Sequence, residues 1–295
     1  MHFPISYSEP LFRPPSEARS LILQPTIGCS WNRCAFCEMY TAKKFSIRNI
    51  DEVKAEIRAM SEYRERVKKV FLADGNAMAL PYEYLLELMK EVRSVFPKLV
   101  RVSIYAIAKD LREKSDEQLK TLREAGLTLI YVGIESGDDE VLKMVNKGET
   151  MVSTIEGLQM AKKAGIKSSV MILSGLGGKK FSRQHAINSA KVVNAVQPEF
   201  LSTLVLSYPC GIEHFKKRFR GDFEPCDIPG LLEELRLFLS HTDLEQTVFR
   251  SDHASNYLIL KGILGRGKER MLREIDEALS DPGTSALRPE WVRGL

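Results

Sequence analysis

The chain has 295 residues, of which 44% are hydrophobic and 28% are charged, as in an average globular protein. This composition excludes extensive disorder and a membrane-spanning architecture, because no apolar run approaches the length of a bilayer. The net charge of +4 is small beside 43 basic and 39 acidic residues, so charge gives no argument for nucleic-acid binding.

The first predicted feature is an extended arm over residues 1–20, whose prolines exclude regular helix. Six apolar runs then alternate with helical patterns, and their continuous apolar character is typical of parallel strands covered on both faces. The predicted strands are SLILQPT, VKKVFLAD, VRVSIYA, LTLIYVGIES, IKSSVMILSG and PEFLSTLVLSY. Predicted helices cover DEVKAEIRAMSEYRER, the residues after Ser115, where Gln118 completes a capping box, and the residues after Ser182.

A faint internal repeat supports this alternation. REAGLTLIYVGIESG and KKAGIKSSVMILSG share a helix end, an Ala-Gly pair, a strand and a glycine. Gly126 and Gly165 suit the left-handed position that ends a helix. We therefore predict an α/β fold, a partial (β/α)6 TIM-like barrel over residues 21–210. Residues 211–295 are predicted to form a mainly helical extension that covers the barrel mouth.

The segment TIGCSWNRCAFCEMY concentrates three of the five cysteines on one loop. Cys29, Cys34 and Cys37 follow the first predicted strand, at the edge where barrel enzymes build their active sites. Three thiolates are one short of a closed zinc site, whereas a cubane iron–sulfur cluster held by three cysteines leaves one iron open for a ligand. The alternatives are three buried structural cysteines, a zinc site completed by a distant ligand, and an electron-transfer iron–sulfur protein.

The stretch IGCSWNRCAFC resembles the signature loop of radical S-adenosylmethionine (radical SAM) enzymes. The resemblance implies a [4Fe–4S] cluster on Cys29, Cys34 and Cys37, with S-adenosylmethionine on the fourth iron and Phe36 near its adenine. The first spacer has four residues where the commonest motif has three, which leaves the subfamily open. The segment YVGIESGDDEVLKMVNKG resembles the branch that contains the elongator catalytic subunit, the methylthiotransferases and the coproporphyrinogen dehydrogenases.

Two further segments fall where the resemblance implies cofactor contacts. In FLADGNAMALP, Asp74, Gly75 and Asn76 occupy the place of the family's Gly-Gly-Glu segment without matching it. Asp74 is suited to accept a hydrogen bond from an ammonium group, and the glycine allows close backbone approach. The alternative is a plain β-turn. In VMILSGLGGKK, Gly175 is expected to let the backbone pass close to an adenine edge.

Glu135 and Ser136 stand at the end of the fourth predicted strand. The resemblance implies that this carboxylate receives hydrogen bonds from the ribose hydroxyls or the ammonium group of the cofactor. The alternative is a structural one, in which Ser136 or Asp138 caps the helix DDEVLKMV. The two roles are compatible.

Polar residues in the tail are candidates for substrate binding. FRSDHASNYL is unusually polar for a segment with apolar flanks, and we expect Arg250, His253, Asn256 and Tyr257 to contact substrate. The alternative is a surface loop. Cys210 follows the sixth strand and is a candidate hydrogen-atom donor or further ligand, or else an inert buried cysteine.

The expected function is reductive cleavage of S-adenosylmethionine to a 5′-deoxyadenosyl radical that abstracts hydrogen from an unidentified small molecule. The resemblance implies a reductant such as flavodoxin or ferredoxin as a partner. The N-terminus has no apolar signal region, and the scattered remaining cysteines favour a reducing compartment, so we expect a cytoplasmic protein with no membrane partner. The alternative function is a non-catalytic zinc- or iron–sulfur-stabilised binding or electron-transfer protein.

Overall fold

The structure is a computed structural model that describes residues 5–281, 283 and 287–293. Its strands are β1 (Leu21–Leu23), β2 (Thr26–Ile27), β3 (Ser46–Ile47), β4 (Lys69–Leu72), β5 (Arg101–Ala106), β6 (Leu127–Glu135), β7 (Lys167–Ser174), β8 (Phe200–Val205), β9 (Val248–Ser251) and β10 (Leu260–Ile263). Its α-helices are α1 (Ile50–Ala59), α2 (Tyr82–Val95), α3 (Ala108–Arg112), α4 (Asp116–Glu124), α5 (Asp139–Met144), α6 (Met151–Lys163), α7 (Gly178–Val196), α8 (Ile212–Arg218), α9 (Ile228–His241) and α10 (Leu264–Ser280). Short 3₁₀ turns cover Pro15–Glu17, Ser61–Tyr63, Ala77–Ala79 and Glu290–Val292.

The α/β fold class predicted from the sequence is confirmed. All six predicted strands are present, as β1, β4, β5, β6, β7 and β8. Pairing is parallel from β1 to β4, from β4 to β5, from β5 to β6 and from β7 to β8. Helices stand between the successive parallel strands, because a parallel crossover has to return along a sheet face.

The chain divides into two compact units. The first comprises Met1–Asn32, Cys37–Val132 and Glu156–Ser168. In it, β1, β4, β5 and β6 lie side by side in that order. In one apolar cluster, the ring of Phe71 packs edge-to-face against the rings of Tyr105 and Tyr131, with centroid distances of 5.0 and 5.9 Å. The arm packs here, and the hydroxyl of Tyr7 donates to the carbonyl of Ile22 on β1 at 3.0 Å.

The second unit comprises Arg33–Phe36, Gly133–Ile155 and Ser169–Leu295. In it, β7, β8 and β9 run parallel, and β10 returns antiparallel to β9. An apolar cluster holds Phe215, Phe219 and Phe223 together with Ala35 and Val145. The tail contributes the predicted helices and also two strands, β9 and β10, that were not predicted from the sequence. Residues 1–4 of the predicted arm and residues 282, 284–286, 294 and 295 of the predicted extension lie outside the described residues.

Local predictions show where sequence patterns set boundaries well. Ser115 and Gln118 form the predicted capping box at the start of α4. Gly126 and Gly165 have φ of 118° and 78°, the left-handed conformation predicted for both helix ends. Helix α7 begins at Gly178, earlier than the predicted start after Ser182, and α1 ends at Ala59, well before the predicted end.

None of the helices in residues 5–281, 283 and 287–293 combines the length and apolar character needed to span a bilayer.

Candidate active site

The cysteine loop is closed at its base by a short antiparallel ladder. Strands β2 and β3 pair Thr26 with Ile47 and Ile27 with Ser46. None of the three cysteines between these strands forms a disulfide; Cys34 is buried, and Cys29 and Cys37 are half-buried. The ladder pairs the two ends of the segment that carries the three cysteines.

In the first unit, the segment after β4 packs against this loop. Oδ2 of Asp74 accepts hydrogen bonds from the backbone N–H of Gly28 at 2.7 Å and from Nζ of Lys43 at 2.9 Å. Nδ2 of Asn76 donates to Oγ of Ser30 at 2.7 Å. Asp74 and Asn76 are fully buried, and both contact residues next to Cys29.

Gly75 lies between these two polar residues. A methyl group at Gly75 would meet Cβ of Cys29 at 2.7 Å and the ring of Tyr40 at 2.8 Å. Burial raises the pKa of the Tyr40 hydroxyl strongly, and the nearby Asp74 carboxylate raises it further, so Tyr40 stays protonated. The glycine is required here because the two loops approach more closely than a side chain would allow.

In the second unit, the residues after α5 contact the part of the loop around Cys34. The N–H of Ala35 donates to the carbonyl of Val145 at 2.8 Å, and Nδ2 of Asn146 donates to the carbonyl of Arg33 at 3.2 Å. The guanidinium of Arg218 donates to the carbonyl of Cys34 at 2.7 Å. Backbone groups on both sides of Cys34 are thereby fixed.

Glu135 ends β6 as a buried carboxylate with an unusual backbone conformation. Its φ is 65°, its residue exposure is 4%, and Nζ of Lys147 lies 3.7 Å from its Oε1. Burial raises the pKa of the Glu135 carboxyl, and the charge of Lys147 opposes that rise. The same Nζ stands 5.9 Å from the ring centroid of Phe36. Lys147 thus joins two predicted cofactor residues, although sequence reasoning did not single it out.

Ser136 takes part in a buried polar chain. Its Oγ is 2.7 Å from Nδ1 of His185 on α7, and Nε2 of His185 is 3.7 Å from Oε1 of Glu234 on α9. That Oε1 also accepts the backbone N–H of Gly175 at 2.7 Å. Asp138 rather than Ser136 caps α5, accepting the N–H of Val141 at 3.1 Å. The chain of contacts fixes the ends of β6 and β7 against two helices.

The tail candidates are held mainly by contacts within the tail and with β8. Arg250 is exposed on β9, and His253 is exposed in the following turn. The Asn256 side chain is buried; its Oδ1 accepts the N–H of Val205 at 2.9 Å, and its Nδ2 donates to the carbonyl of Thr203 at 2.7 Å. These two bonds tie the tail to β8.

The remaining two candidates differ in their surroundings. The hydroxyl of Tyr257 donates to Glu290 at 2.9 Å, and the guanidinium of Arg293 stacks 3.8 Å from the Tyr257 ring centroid. Cys210 is exposed in the turn after β8. Substrate contact by these five residues stays a prediction.

The residues suit an iron–sulfur cluster and a zwitterionic cofactor by their chemistry. Three cysteines on one loop, none of them in a disulfide, form a soft donor set. Within the described residues, three buried oxygens in the predicted cofactor segments lack a hydrogen-bond partner: Oδ1 of Asp74, Oδ1 of Asn76 and Oε2 of Glu135. Buried acceptors are normally satisfied, so these suit an ammonium or hydroxyl donor. The described part of the chain presents no preassembled group of three His, Cys, Asp or Glu side chains for a single metal ion.

The profile of the Radical SAM superfamily matches residues 23–189, more than half of the chain. The chain belongs to the radical SAM superfamily. Members of this superfamily bind a [4Fe–4S] cluster and S-adenosylmethionine. The match covers all three cysteines of the loop, together with Glu135 and Lys147.

Relatives with names come from several radical SAM branches. The chain is 27% identical over 115 residues to a tRNA uridine(34) acetyltransferase of Methanocaldococcus infernus, covering 38% of this chain and 21% of that protein. It is 25% identical over 141 residues to the heme chaperone HemW of Bacillus subtilis, covering 47% and 37%. The chain therefore spans well under half the length of these curated relatives.

Solved structures confirm the fold. Coproporphyrinogen III oxidase (HemN) from Escherichia coli, a radical SAM enzyme, superposes with a TM-score of 0.59 at 20% identity, covering 75% of this chain and 52% of that one. Methylornithine synthase (PylB) superposes with a TM-score of 0.51 at 16% identity, covering 91% and 83%. At these identities the likeness establishes the TIM-like radical SAM fold and leaves the reaction open.

Proposed function

We propose that this protein is a radical SAM enzyme that cleaves S-adenosylmethionine reductively and uses the product radical on a small molecule. The observation that carries the proposal is a loop with three cysteines, none of them in a disulfide, in a chain of this superfamily. A cluster held by Cys29, Cys34 and Cys37 would pass one electron from an external reductant to S-adenosylmethionine. Cleavage of the C5′–S bond would then give methionine and a 5′-deoxyadenosyl radical for hydrogen abstraction from substrate.

Cys29, Cys34 and Cys37 are proposed as the cluster ligands. None of them forms a disulfide, and the contacts described above fix the backbone beside Cys29 and around Cys34. A fixed loop supports cluster binding because less conformational entropy is lost when the ligands are ordered. The fourth iron then has no protein ligand in this assignment and is open to the cofactor.

Lys147 is proposed to pair with the carboxylate of S-adenosylmethionine. Its ammonium group is mostly buried, with 11% of the side chain exposed, and it stands beside both Phe36 and Glu135. A desolvated cation attracts an anionic group strongly, and the methionine carboxylate is the only anionic group of this cofactor. Phe36 is proposed to contact the adenine.

The unpartnered oxygens are proposed to receive the donors of S-adenosylmethionine. Oδ1 of Asp74 and Oδ1 of Asn76 suit its ammonium group, and Oε2 of Glu135 suits a ribose hydroxyl or the ammonium group. Gly175 is proposed to lie beside the adenine edge. Its N–H is bonded to Glu234 and its carbonyl accepts the N–H of Gly178 at 3.0 Å, so the second lone pair of that carbonyl is the group it offers. Ser136 is proposed to support Glu135 through its bond to His185.

The deciding experiment is anaerobic reconstitution with iron and sulfide, followed by dithionite and S-adenosylmethionine. We expect 5′-deoxyadenosine, detected by mass spectrometry, together with about four irons and four sulfides per chain. Cys34→Ala is the matched negative control, and Cys210→Ala is the matched positive control. One zinc without sulfide would favour the binding module, and a reducible cluster that never cleaves the cofactor would favour electron transfer. A flavodoxin or ferredoxin is the proposed physiological reductant.

A further inference from the structure

A buried carboxylate ties together the two ends of the cysteine loop. Oδ2 of Asp74 accepts the N–H of Gly28, just before the first cysteine, and the ammonium of Lys43, six residues after the last. The side chains of Lys43 and Asp74 are 5% and 0% exposed. Gln24, at the end of β1, adds a third donor to the same oxygen at 3.3 Å.

Lys43 also binds the N-terminal arm. Its Nζ donates to the carbonyl of Ser8 at 2.6 Å. Ser8 is held in turn by the Gln24 side chain, which accepts its N–H at 2.8 Å and donates to its carbonyl at 3.0 Å. Phe12 meets the Tyr40 ring edge-to-face at 5.5 Å. The arm therefore packs against the loop through one hydrogen-bond network, formed by Ser8, Gln24 and Lys43, and one aromatic pair.

Close packing next to this hydrogen-bond network restricts the conformations that the loop can adopt. Gly75 stands against Cys29 so closely that a methyl group does not fit, and Asn76 bonds Ser30. A loop that is held at both ends and pressed at Cys29 has few conformations to lose when its thiolates bind a ligand. The contacts at Lys43 are the part of this arrangement that depends on charge.

We propose that Lys43 and Asp74 form an electrostatic latch that holds the cysteine loop in its ligand-binding conformation before iron and sulfide arrive. Both are positioning residues here, acting on the cluster through Gly28 and the loop backbone. The inference rests on the proposed function for the identity of the bound group. Removing either partner leaves an uncompensated buried charge, which opens the loop, whereas removing both leaves no charge to solvate.

The first test measures the metal-free protein. Amide hydrogen exchange at Gly28 is compared in the wild type, Lys43→Met, Asp74→Asn and the control Lys54→Met, whose ion pair with Glu87 lies on the surface of the same unit. We expect exchange at Gly28 to be at least about tenfold faster in the two latch variants. Asp74→Asn replaces the charged acceptor of the Gly28 N–H by a neutral one, and Lys43→Met leaves the buried carboxylate without its counter-ion, so that the loop opens to solvate it. The control should exchange like the wild type, and global thermal unfolding, followed in parallel, should shift less than the loop signal.

The second test measures cluster retention and the double variant Lys43→Met/Asp74→Asn. Reconstituted latch variants should lose iron to a chelator severalfold faster than the wild type, and the double variant should be less impaired than the product of the two single effects. If the single variants do not fold, a folded double variant supports the latch and an unfolded one overturns it.

Two results overturn the latch while leaving the proposed function intact. One is a folded Lys43→Met variant in which Gly28 exchanges at the wild-type rate. The other is a double variant whose rate of iron loss rises by the product of the increases in the two single variants. The converse result is a wild type that never cleaves S-adenosylmethionine while the latch variants still exchange faster than the wild type at Gly28. That combination would overturn the proposed function and leave the latch supported.

Discussion

The ammonium of Lys147 lies 3.7 Å from the carboxylate of Glu135, and both side chains are almost excluded from water. A pair this buried is costly to keep unless each charge also serves a partner. Oε2 of Glu135 has no hydrogen-bond partner within the described residues. Lys147 stands between this carboxylate and Phe36 of the cysteine loop. In the proposed function, this pair would offer one positive and one negative contact to the amino-acid part of S-adenosylmethionine.

Lys147→Met should weaken binding of S-adenosylmethionine by about tenfold to a hundredfold, because one charge-assisted contact to the cofactor carboxylate is lost, about 1.5–3 kcal/mol. Calorimetry on reconstituted protein measures the affinity. Lys143→Met is the matched control, since Lys143 is exposed on the same segment and should leave the affinity unchanged. Equal affinities for the two variants would remove Lys147 from the cofactor site.

Glu135→Ala should weaken cofactor binding without unfolding the protein, again by about 1.5–3 kcal/mol. The reason is the loss of a buried acceptor at the end of β6. Circular dichroism checks the fold, and calorimetry measures affinity beside Glu140→Ala, an exposed carboxylate on α5. Unchanged affinity would return Glu135 to a structural role as the counter-ion of Lys147.

Single alanine substitutions at the cysteines should separate ligands from bystanders. Cys29→Ala, Cys34→Ala and Cys37→Ala should each abolish cofactor cleavage and strongly reduce bound iron, because a methyl group cannot replace a thiolate ligand. Cys210→Ala and Cys226→Ala should keep the cluster. Iron and sulfide analysis with the absorption spectrum checks this. Loss of iron in Cys210→Ala as complete as in Cys34→Ala would mean four protein ligands, and no iron would be open to the cofactor.

Six strands of the fold could be predicted from the sequence because the apolar run that indicates a strand lies within a few consecutive residues. A continuous apolar run such as the one in β7 shows burial on both faces within a few residues. Strand β9 has only four residues, and its Arg250 and Ser251 interrupt the apolar pattern. It forms because β8 pairs with it, from Phe200 onward. Such pairing depends on residues far away in the chain and leaves no mark in a short window.

The cysteines were legible for the same reason, whereas the charged residues around them were not. Three thiols within nine residues are a local pattern, but a lysine predicts a solvated side chain wherever it stands. Lys43 is buried through Asp74, 31 residues away, and Glu17 is buried through Arg101, 84 residues away. Partners at such separations can be identified only from the folded structure, so the burial and pairing of these charged residues could not be predicted from the sequence.

Glu17→Ala should destabilise the protein by about 1–3 kcal/mol, because it leaves the half-buried guanidinium of Arg101 and the hydroxyl of Tyr131 without their acceptor. Glu17 is fully buried, and its Oε1 accepts from Arg101 and from the Tyr131 hydroxyl, both at 2.6 Å. Denaturant unfolding of the metal-free protein measures the change. Glu65→Ala, which removes an exposed carboxylate, is the control and should change stability by less than about 1 kcal/mol. A Glu17→Ala effect as small as the control would show that the arm is not anchored through this pair.

Acidification should loosen the tail through His253. Its Nδ1 accepts the backbone N–H of Ser255 at 3.1 Å, which requires that nitrogen to be unprotonated. His253 is exposed as a residue, but its ring contacts are partly buried, and this partial burial lowers its pKa below 6.5. The charge of Arg288 lowers the pKa further, and Asp252 opposes both. The folded pKa is below the unfolded one, so protonation favours the unfolded state. The stability that His253 contributes is therefore present above about pH 6.5 and is lost as the pH falls through the lowered pKa.

The measurement is the free energy of unfolding of wild type and His253→Gln from denaturant titrations at a series of pH values. Glutamine offers an acceptor oxygen to Ser255 but does not titrate, so the other ionisable groups cancel in the difference between the two proteins. We expect the wild type to lose stability relative to the variant as the pH falls below about 6.5. Two profiles that stay parallel over this range would show that His253 does not change its protonation on unfolding, and its bond to Ser255 would then carry no pH dependence.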